Sequence, residues 1–223
     1  MSPPSAAPRG DIATTLAGKI ADKTASIGVV GLGYVGLPLA LAFAELGFGT
    51  IGFDVDDKKV AILEAGGSYI DHIAADRVAA VGGKFRATAE PTALAAADAV
   101  LICVPTPLTE HHTPDLRYIE STAELLASQL REGQLIVLES TTYPGTTDEL
   151  MRTILERSGL RCSEQFFLAF SPEREDPGNL QFNTTTIPKV VGGVDAVSTD
   201  LAVALYAQLV PKVVRMSSAR AAE

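Results

Sequence analysis

The chain has 223 residues and a formal net charge of −9; at roughly 150 residues per domain that allows one large domain or one and a half. With 47% hydrophobic and 20% charged residues it is a folded globular sequence, and 18 Lys+Arg against 27 Asp+Glu exclude the basic footprint of a nucleic-acid binder. Two cysteines, Cys103 and Cys162, cannot build a disulfide framework and fit a reduced, cytoplasmic compartment.

In chain order, residues 1–10, with Pro3, Pro4 and Pro8, read as a loose tail. Residues 11–23 form a short surface helix with Ile12, Leu16 and Ile20 on one face. No basic-then-apolar leader opens the chain, so no secretory signal is expected. Between residues 27 and 53 the only charge is Glu45, which a hydropathy window would flag as a membrane span. Glycines at 31, 33, 36, 47, 49 and 52, with Pro38, instead divide the stretch into strand, turn, helix and strand. Strands of a parallel sheet are covered on both faces, so they read as unbroken apolar runs. Strands are predicted at 25–30, 50–54, 85–88, 99–104, 135–139, 165–170, 189–192 and 212–216. Helices are predicted at 34–46, 56–65, 91–97, 117–130, 146–158 and 196–209. This alternation implies a doubly wound, mainly parallel α/β sheet.

The first strand runs into Gly31-Leu32-Gly33-Tyr34-Val35-Gly36, a G-x-G-x-x-G that opens the next helix. The first glycine permits the tight turn, the second lets backbone approach a pyrophosphate, and the third lets helix and strand pack closely. Phosphates then rest on the helix N-terminus. Asp54 lies 18 residues after Gly36 at the end of the second strand, close to the spacing of about 20 expected of an acid that binds the adenosine ribose. A carboxylate there repels a 2′-phosphate and favours NAD over NADP, although Lys58 and Lys59 follow closely. The matched strand–loop–helix context weighs against a bare glycine turn with a capping Asp.

Three further strands end in polar loops at the same rim, where open sheets bind ligands. They are Val104-Pro105-Thr106-Pro107, Glu139-Ser140-Thr141-Thr142 and Ser171-Pro172-Glu173-Arg174. Glu173 can orient water or act as a general base. Arg174 can hold a phosphate or carboxylate in bidentate fashion. Turn and cap residues on solvated loops are the bland alternative; convergence beside a dinucleotide site favours function. His111 and His112 have no partners at metal spacing. Cys103 reads as a small buried hydrophobe and Cys162 lies at the far end from the rim; no metal site is expected.

In this order the motifs resemble the N-terminal domain of the UDP-glucose/GDP-mannose dehydrogenase family, and within it the branch that oxidises UDP-N-acetylhexosamines. The resemblance rests on the run from Gly28 to Pro38, Val104 to Pro107, Glu139-Ser140-Thr141 with Pro144-Gly145-Thr146, Ser171 to Arg174, Pro177-Gly178-Asn179 and Pro188 to Gly193. It implies a Rossmann-like domain, NAD as cofactor, and a UDP-sugar substrate whose C6 alcohol becomes a carboxylate in two oxidations. It places Gly31, Gly33, Tyr34, Val35 and Gly36 in the phosphate loop, Asp54 on the ribose, and Lys59 beside the adenosine half. Thr106 and Thr141 line the cofactor and reaction centre. Thr141 and Glu173 position or activate the catalytic water, and Arg174 faces substrate.

Glucose-specific relatives carry Phe-Leu after the Glu173 position and a second Glu four residues beyond it. Here Arg174-Glu175 and Pro177 stand there, which favours the N-acetylated branch and leaves a second carboxylate unassigned. The family continues into a central helix with a Lys and an Asn, then a second domain with a nucleophilic Cys in G-G-x-C. The expectation is therefore a tail and helix at 1–24, a cofactor domain at 25–216, and the start of a truncated central helix at 217–223. It is expected to be inactive alone, and homo-oligomeric as a full-length enzyme. The alternative is a stand-alone dinucleotide-binding or interaction module.

Overall fold

The computed structural model describes residues 9–110, 113–173 and 187–223. His111, His112 and Arg174 lie outside the described residues. Eight strands form one sheet: β1 (Ser26–Val30), β2 (Gly49–Phe53), β3 (Phe85–Thr88), β4 (Ala99–Ile102), β5 (Leu135–Leu138), β6 (Phe167–Phe170), β7 (Lys189–Gly193) and β8 (Val213–Arg215). Their order is β3-β2-β1-β4-β5-β6-β7-β8, so the chain winds outward in one direction to β3 and then reverses at β4. This is the doubly wound Rossmann-like arrangement.

Strand alternation sends successive side chains to opposite faces and builds two cores. Ile27, Val29, Ala99, Leu101, Leu135, Val137, Phe167 and Ala169 belong to one core. Val30, Val100, Ile102, Ile136, Leu138, Leu168 and Phe170 belong to the other. The first core is covered by α1 (Arg9–Ala21), α2 (Gly36–Glu45), α3 (Asp57–Glu64), α4 (Ala75–Ala80) and α7 (Ala196–Tyr206). The second is covered by α5 (Arg117–Ala127), α6 (Arg152–Leu155) and the short α8 (Ala219–Ala222). Ile12, Leu16 and Ile20 on α1 are buried, and α1 packs on α7.

The apolar stretch 27–53 folds as β1, the glycine turn, α2 and β2, with Glu45 exposed and paired to Arg77 at 2.7 Å. Among the described residues no helix is long and apolar enough to cross a membrane.

The structure adds α4, which the sequence does not predict, makes the helix expected at 91–97 a 3-10 helix (Pro91–Ala96), and refines two further elements. The β6–β7 pair is antiparallel, with Ala169 opposite Gly193 and Phe170 opposite Gly192. A parallel partner needs a crossover, usually helical, and the sequence from 171 to 188 carries Pro172, Pro177 and Pro188 with no helical period. The helix expected over 146–158 is divided into a wide π turn (Thr146–Met151), α6 and a 3-10 turn (Glu156–Ser158). It starts after Gly145 at φ +106°, where the Glu223 carboxylate accepts from the Gly145 N–H at 2.5 Å and the Thr147 N–H at 2.7 Å. The carboxyl ends of β1, β2, β4, β5 and β6 form the site.

Candidate dinucleotide site

A cleft of about 680 Å³ opens at the carboxyl ends of the strands, across the β1–β4 boundary where the strand order reverses. The glycine turn supplies Gly31, Gly33, Tyr34 and Val35, and the end of β2 supplies Asp54 with Lys59 behind it. Thr106 enters from the loop after β4, Thr141 from the loop after β5 and Glu173 from the loop after β6. Tyr118, Ser121, Thr122 and Leu125 of α5 close one wall. The structure thus gathers nine of the predicted site residues into one cleft. Of the other two, Arg174 lies outside the described residues, and Gly36 is buried beneath the turn and does not line the cleft.

The three glycines differ in what they do. Gly31 adopts φ +88°, and a Cβ there would lie 2.8 Å from the Cys103 carbonyl oxygen. A Cβ at Gly36 would collide with the Gly31 carbonyl oxygen. Both are required for the turn to exist. A Cβ at Gly33 would meet nothing within 4 Å, so the chain's own packing does not demand glycine there. The open space faces the cleft. The adjoining α2 has Val35 at its N-cap and no side-chain cap, which leaves the helix N-terminus available to an anion. Space for backbone approach and an uncapped helix start are what a bound pyrophosphate needs, so these residues fit NAD.

Asp54 does more than the motif implies. It is 6% exposed; its Oδ2 accepts from the Leu32 N–H at 2.9 Å and its Oδ1 from the Asp56 N–H at 3.0 Å. Lys59 Nζ stands 3.4 Å away. The carboxylate braces the glycine turn while presenting its remaining lone pairs at the cleft. The segment after α3 braces the same turn from outside. The Tyr69 hydroxyl donates to the Leu32 carbonyl, Lys59 lies 5.8 Å over the Tyr69 ring, and His72 stacks on Tyr34 at 5.8 Å. Burial, with Asp54 and Asp56 nearby, holds the Tyr69 phenol well above its ordinary range, so it remains a donor. Sequence reasoning missed Tyr69 and His72, because single aromatics in a loop carry no period.

At the other end of the cleft lies a buried ionic cluster. Lys189 Nζ, at the start of β7, stands 2.5 Å from Glu139 Oε2 and 3.3 Å from Glu173 Oε2. The Tyr206 hydroxyl of α7 donates to Glu139 Oε1, and the Lys189 ammonium lies 5.3 Å over its ring. Burial pushes the Glu139 carboxyl up to about 7, against the opposing pull of Lys189. Burial works against the Lys189 charge too, but Glu139 and Glu173 outweigh it and hold its pKa above the ordinary value. Glu139 was visible in sequence as the acid ending an apolar strand. Lys189 and Tyr206 gave no comparable signal.

The loops are tied to one another as well. Ser140 Oγ donates to the Val104 carbonyl at 2.7 Å, linking the strand ends that carry Thr141 and Thr106. Cys103 is buried at the cleft wall, and Cys162 is buried away from it with its thiol pushed up by burial to about 11.

The sequence profile of the UDP-glucose/GDP-mannose dehydrogenase family, NAD binding domain, matches residues 25–210. The chain is 36% identical over 190 residues to the UDP-N-acetyl-D-glucosamine 6-dehydrogenase of Pseudomonas aeruginosa, covering 84% of this chain and 44% of that protein. The solved UDP-D-ManNAc dehydrogenase of Pyrococcus horikoshii superposes with a TM-score of 0.82 at 33% identity, over 88% of this chain and 48% of that one. The NDP-N-acetyl-D-galactosaminuronic acid dehydrogenase of Methanosarcina mazei Go1 also superposes at 0.82, with 32% identity over 91% of this chain and 47% of that one. The chain therefore spans about half the length of these relatives. With its glycine turn, Asp54 and NAD-compatible cleft in place, the chain belongs to the UDP-glucose/GDP-mannose dehydrogenase family and carries its NAD-binding domain.

Proposed function

We propose that this chain is the NAD-binding portion of a nucleotide-sugar 6-dehydrogenase that converts the C6 alcohol of a UDP-N-acetylhexosamine to a carboxylate with two NAD. The observation that carries this reading is the convergence of Thr106, Thr141 and Glu173 on a cleft that also holds the glycine turn and Asp54. NAD, when bound, supplies the hydride acceptor. Gly31 and Gly33 present backbone to its pyrophosphate, and Asp54 offers a carboxylate to the adenosine ribose. The Thr141 hydroxyl and the Glu173 carboxylate, on neighbouring loops, position a water and take its proton. Arg174 is assigned to the substrate side.

The domain is assigned to residues 25–216, and the full-length enzyme is read as a cytoplasmic homo-oligomer; two buried cysteines outside any disulfide fit a reducing compartment. The oxidation also needs an accessible thiolate. Cys162 is buried with a raised pKa, and Cys103 is buried at the cleft wall. The 223 residues alone are therefore expected to bind NAD without oxidising UDP-sugar. Calorimetry should detect NAD binding, and absorbance at the NADH band should stay flat with UDP-N-acetylglucosamine or UDP-N-acetylmannosamine. No NAD binding up to millimolar concentration would overturn the cofactor role; NADH formation would overturn the inactivity.

A further inference from the structure

Thr141 lines the cleft from an exposed position on the loop after β5, so its place depends on what holds that loop. On one side the anchor is Ser140, whose Oγ donates to the Val104 carbonyl at 2.7 Å. On the other side the chain turns through Tyr143-Pro144-Gly145 into the π turn. Thr142 Oγ1 donates to Thr146 Oγ1 at 2.5 Å, and Thr146 Oγ1 donates to the Tyr143 carbonyl at 2.9 Å. Thr146 thus closes the loop, and its own place is set by the residues on either side of it.

Those flanking residues are gripped from far along the chain. The first amides of a helix have no partner within it, and Gly145 at the N-cap has no side chain to supply one. The Glu223 carboxylate does so instead. Its Oε2 accepts from the Gly145 N–H and its Oε1 from the Thr147 N–H, across 78 and 76 residues. One side chain therefore holds the amides on both sides of Thr146. The short α8 sets that carboxylate in place. Ala219 and Ala222 are buried in the second core, and Ser218 Oγ accepts from the Ala221 N–H at 3.1 Å. The chain here presses so closely on β7 that a Cβ at Gly192 would collide with the Ser218 carbonyl oxygen. Arg220 adds a second tie to the π turn, pairing with Glu149 and, at 3.6 Å, with Asp148. Residues 218–223 lie beyond the stretch 25–210 that the family profile matches.

We infer that Glu223 is a positioning residue for the cofactor site: its carboxylate, set by α8, fixes the loop that carries Thr141. The inference rests on the reading of the cleft as an NAD site with Thr141 at the cofactor. A dinucleotide laid across a strand-order reversal puts one nucleoside on each side of it. With the adenosine ribose at Asp54, Thr141 after β5 meets the nicotinamide half. Releasing the Gly145 and Thr147 amides frees the Thr142–Thr146 turn and lets Thr141 drift. The cost falls on the nicotinamide half of the cofactor and spares the adenosine end, which is built from β1, β2 and the glycine turn.

Calorimetry on the 223-residue chain tests this, with NAD and with ADP, which shares the adenosine and diphosphate but lacks the nicotinamide half. Glu223→Ala should weaken NAD about three- to tenfold, the loss of one hydrogen bond from Thr141, and leave ADP within about twofold of the parent. In a Thr141→Ala chain, which has already lost that bond, Glu223→Ala should change NAD affinity by less than about twofold. If Glu223→Ala fails to fold by circular dichroism, Glu223→Gln, which keeps one acceptor oxygen, is read in the same way. Unchanged NAD affinity in a folded Glu223 variant, equal weakening of NAD and ADP, or an undiminished effect in the Thr141→Ala chain overturns the inference alone. A folded Thr141→Ala chain that binds NAD as tightly as the parent removes Thr141 from the cofactor, and the inference with it. If the folded parent binds neither ligand, the cofactor reading falls as well.

Discussion

Gly33 and Gly36 stand three residues apart in one turn, yet an added methyl group has opposite consequences at the two. At Gly36 it collides with the Gly31 carbonyl oxygen; at Gly33 it meets nothing within 4 Å. Gly33→Ala should therefore leave stability within about 0.5 kcal/mol of the parent. It should weaken NAD by at least about tenfold, equivalent to about 1.4 kcal/mol, because the methyl fills the space that backbone–pyrophosphate approach requires. Gly36→Ala should lose the folded turn itself. Thermal melts with NAD titration separate the two, and undiminished NAD affinity in a folded Gly33→Ala chain would sink the assignment. The sequence spacing made this turn and Asp54 legible, because both belong to one local strand–turn–helix unit. It could not show that Asp54 also braces Leu32, nor that Lys189 meets a carboxylate 50 residues earlier in the chain. Such pairings exist only once β5, β6 and β7 are side by side.

Among the elements, the start of the sheet is fastened by a single carboxylate. Asp98, just before β4, is 6% exposed. Its Oδ1 accepts from Lys19 Nζ on α1 at 2.9 Å and from Arg131 at 2.8 Å, and its Oδ2 accepts from the Ser26 N–H of β1 at 2.9 Å. Burial pushes this carboxyl up, but Lys19, the Ser26 amide and Arg131 together outweigh it and leave the pKa below its ordinary 3.8. The sign follows from that depression. The unfolded chain binds the proton first, so the contribution is complete above the unfolded value and is lost as pH falls through the lower folded one. Asp98→Asn should cost about 1–3 kcal/mol at neutral pH by weakening the partners of a buried carboxylate. It should also flatten the loss of stability below about pH 4. Urea melts across pH would show this; equal acid slopes in parent and variant would contradict it. The burial of α1 was readable from Ile12, Leu16 and Ile20 at helical spacing, whereas its fastening to Asp98 spans 79 residues and has no sequence period.

At the scale of the whole molecule, the sheet separates two cores, and at the cleft the ends of β2, β1, β4, β5 and β6 all contribute to a common surface. The unbroken apolar strands that build both cores were legible along the chain. The β6–β7 reversal was not, because strand residue preferences do not encode direction; only the lack of a helical period between residues 171 and 188 hints at it. A ligand that touches the ends of strands from both halves binds only when both halves are folded. NAD at about 100 times its dissociation constant should add about 2.7 kcal/mol to the stability of the folded chain. For a chain of this size that raises the melting temperature by about 5–10 °C. NADP at the same concentration should give a smaller shift. Asp54 is held by the Leu32 and Asp56 amides and cannot swing away from a 2′-phosphate without releasing the glycine turn. Lys59, at 3.4 Å from that carboxylate, is the only counterweight among the cleft's described residues at that end. Equal shifts with the two cofactors would mean that Lys59 outweighs Asp54 and that the brace does not select the ribose.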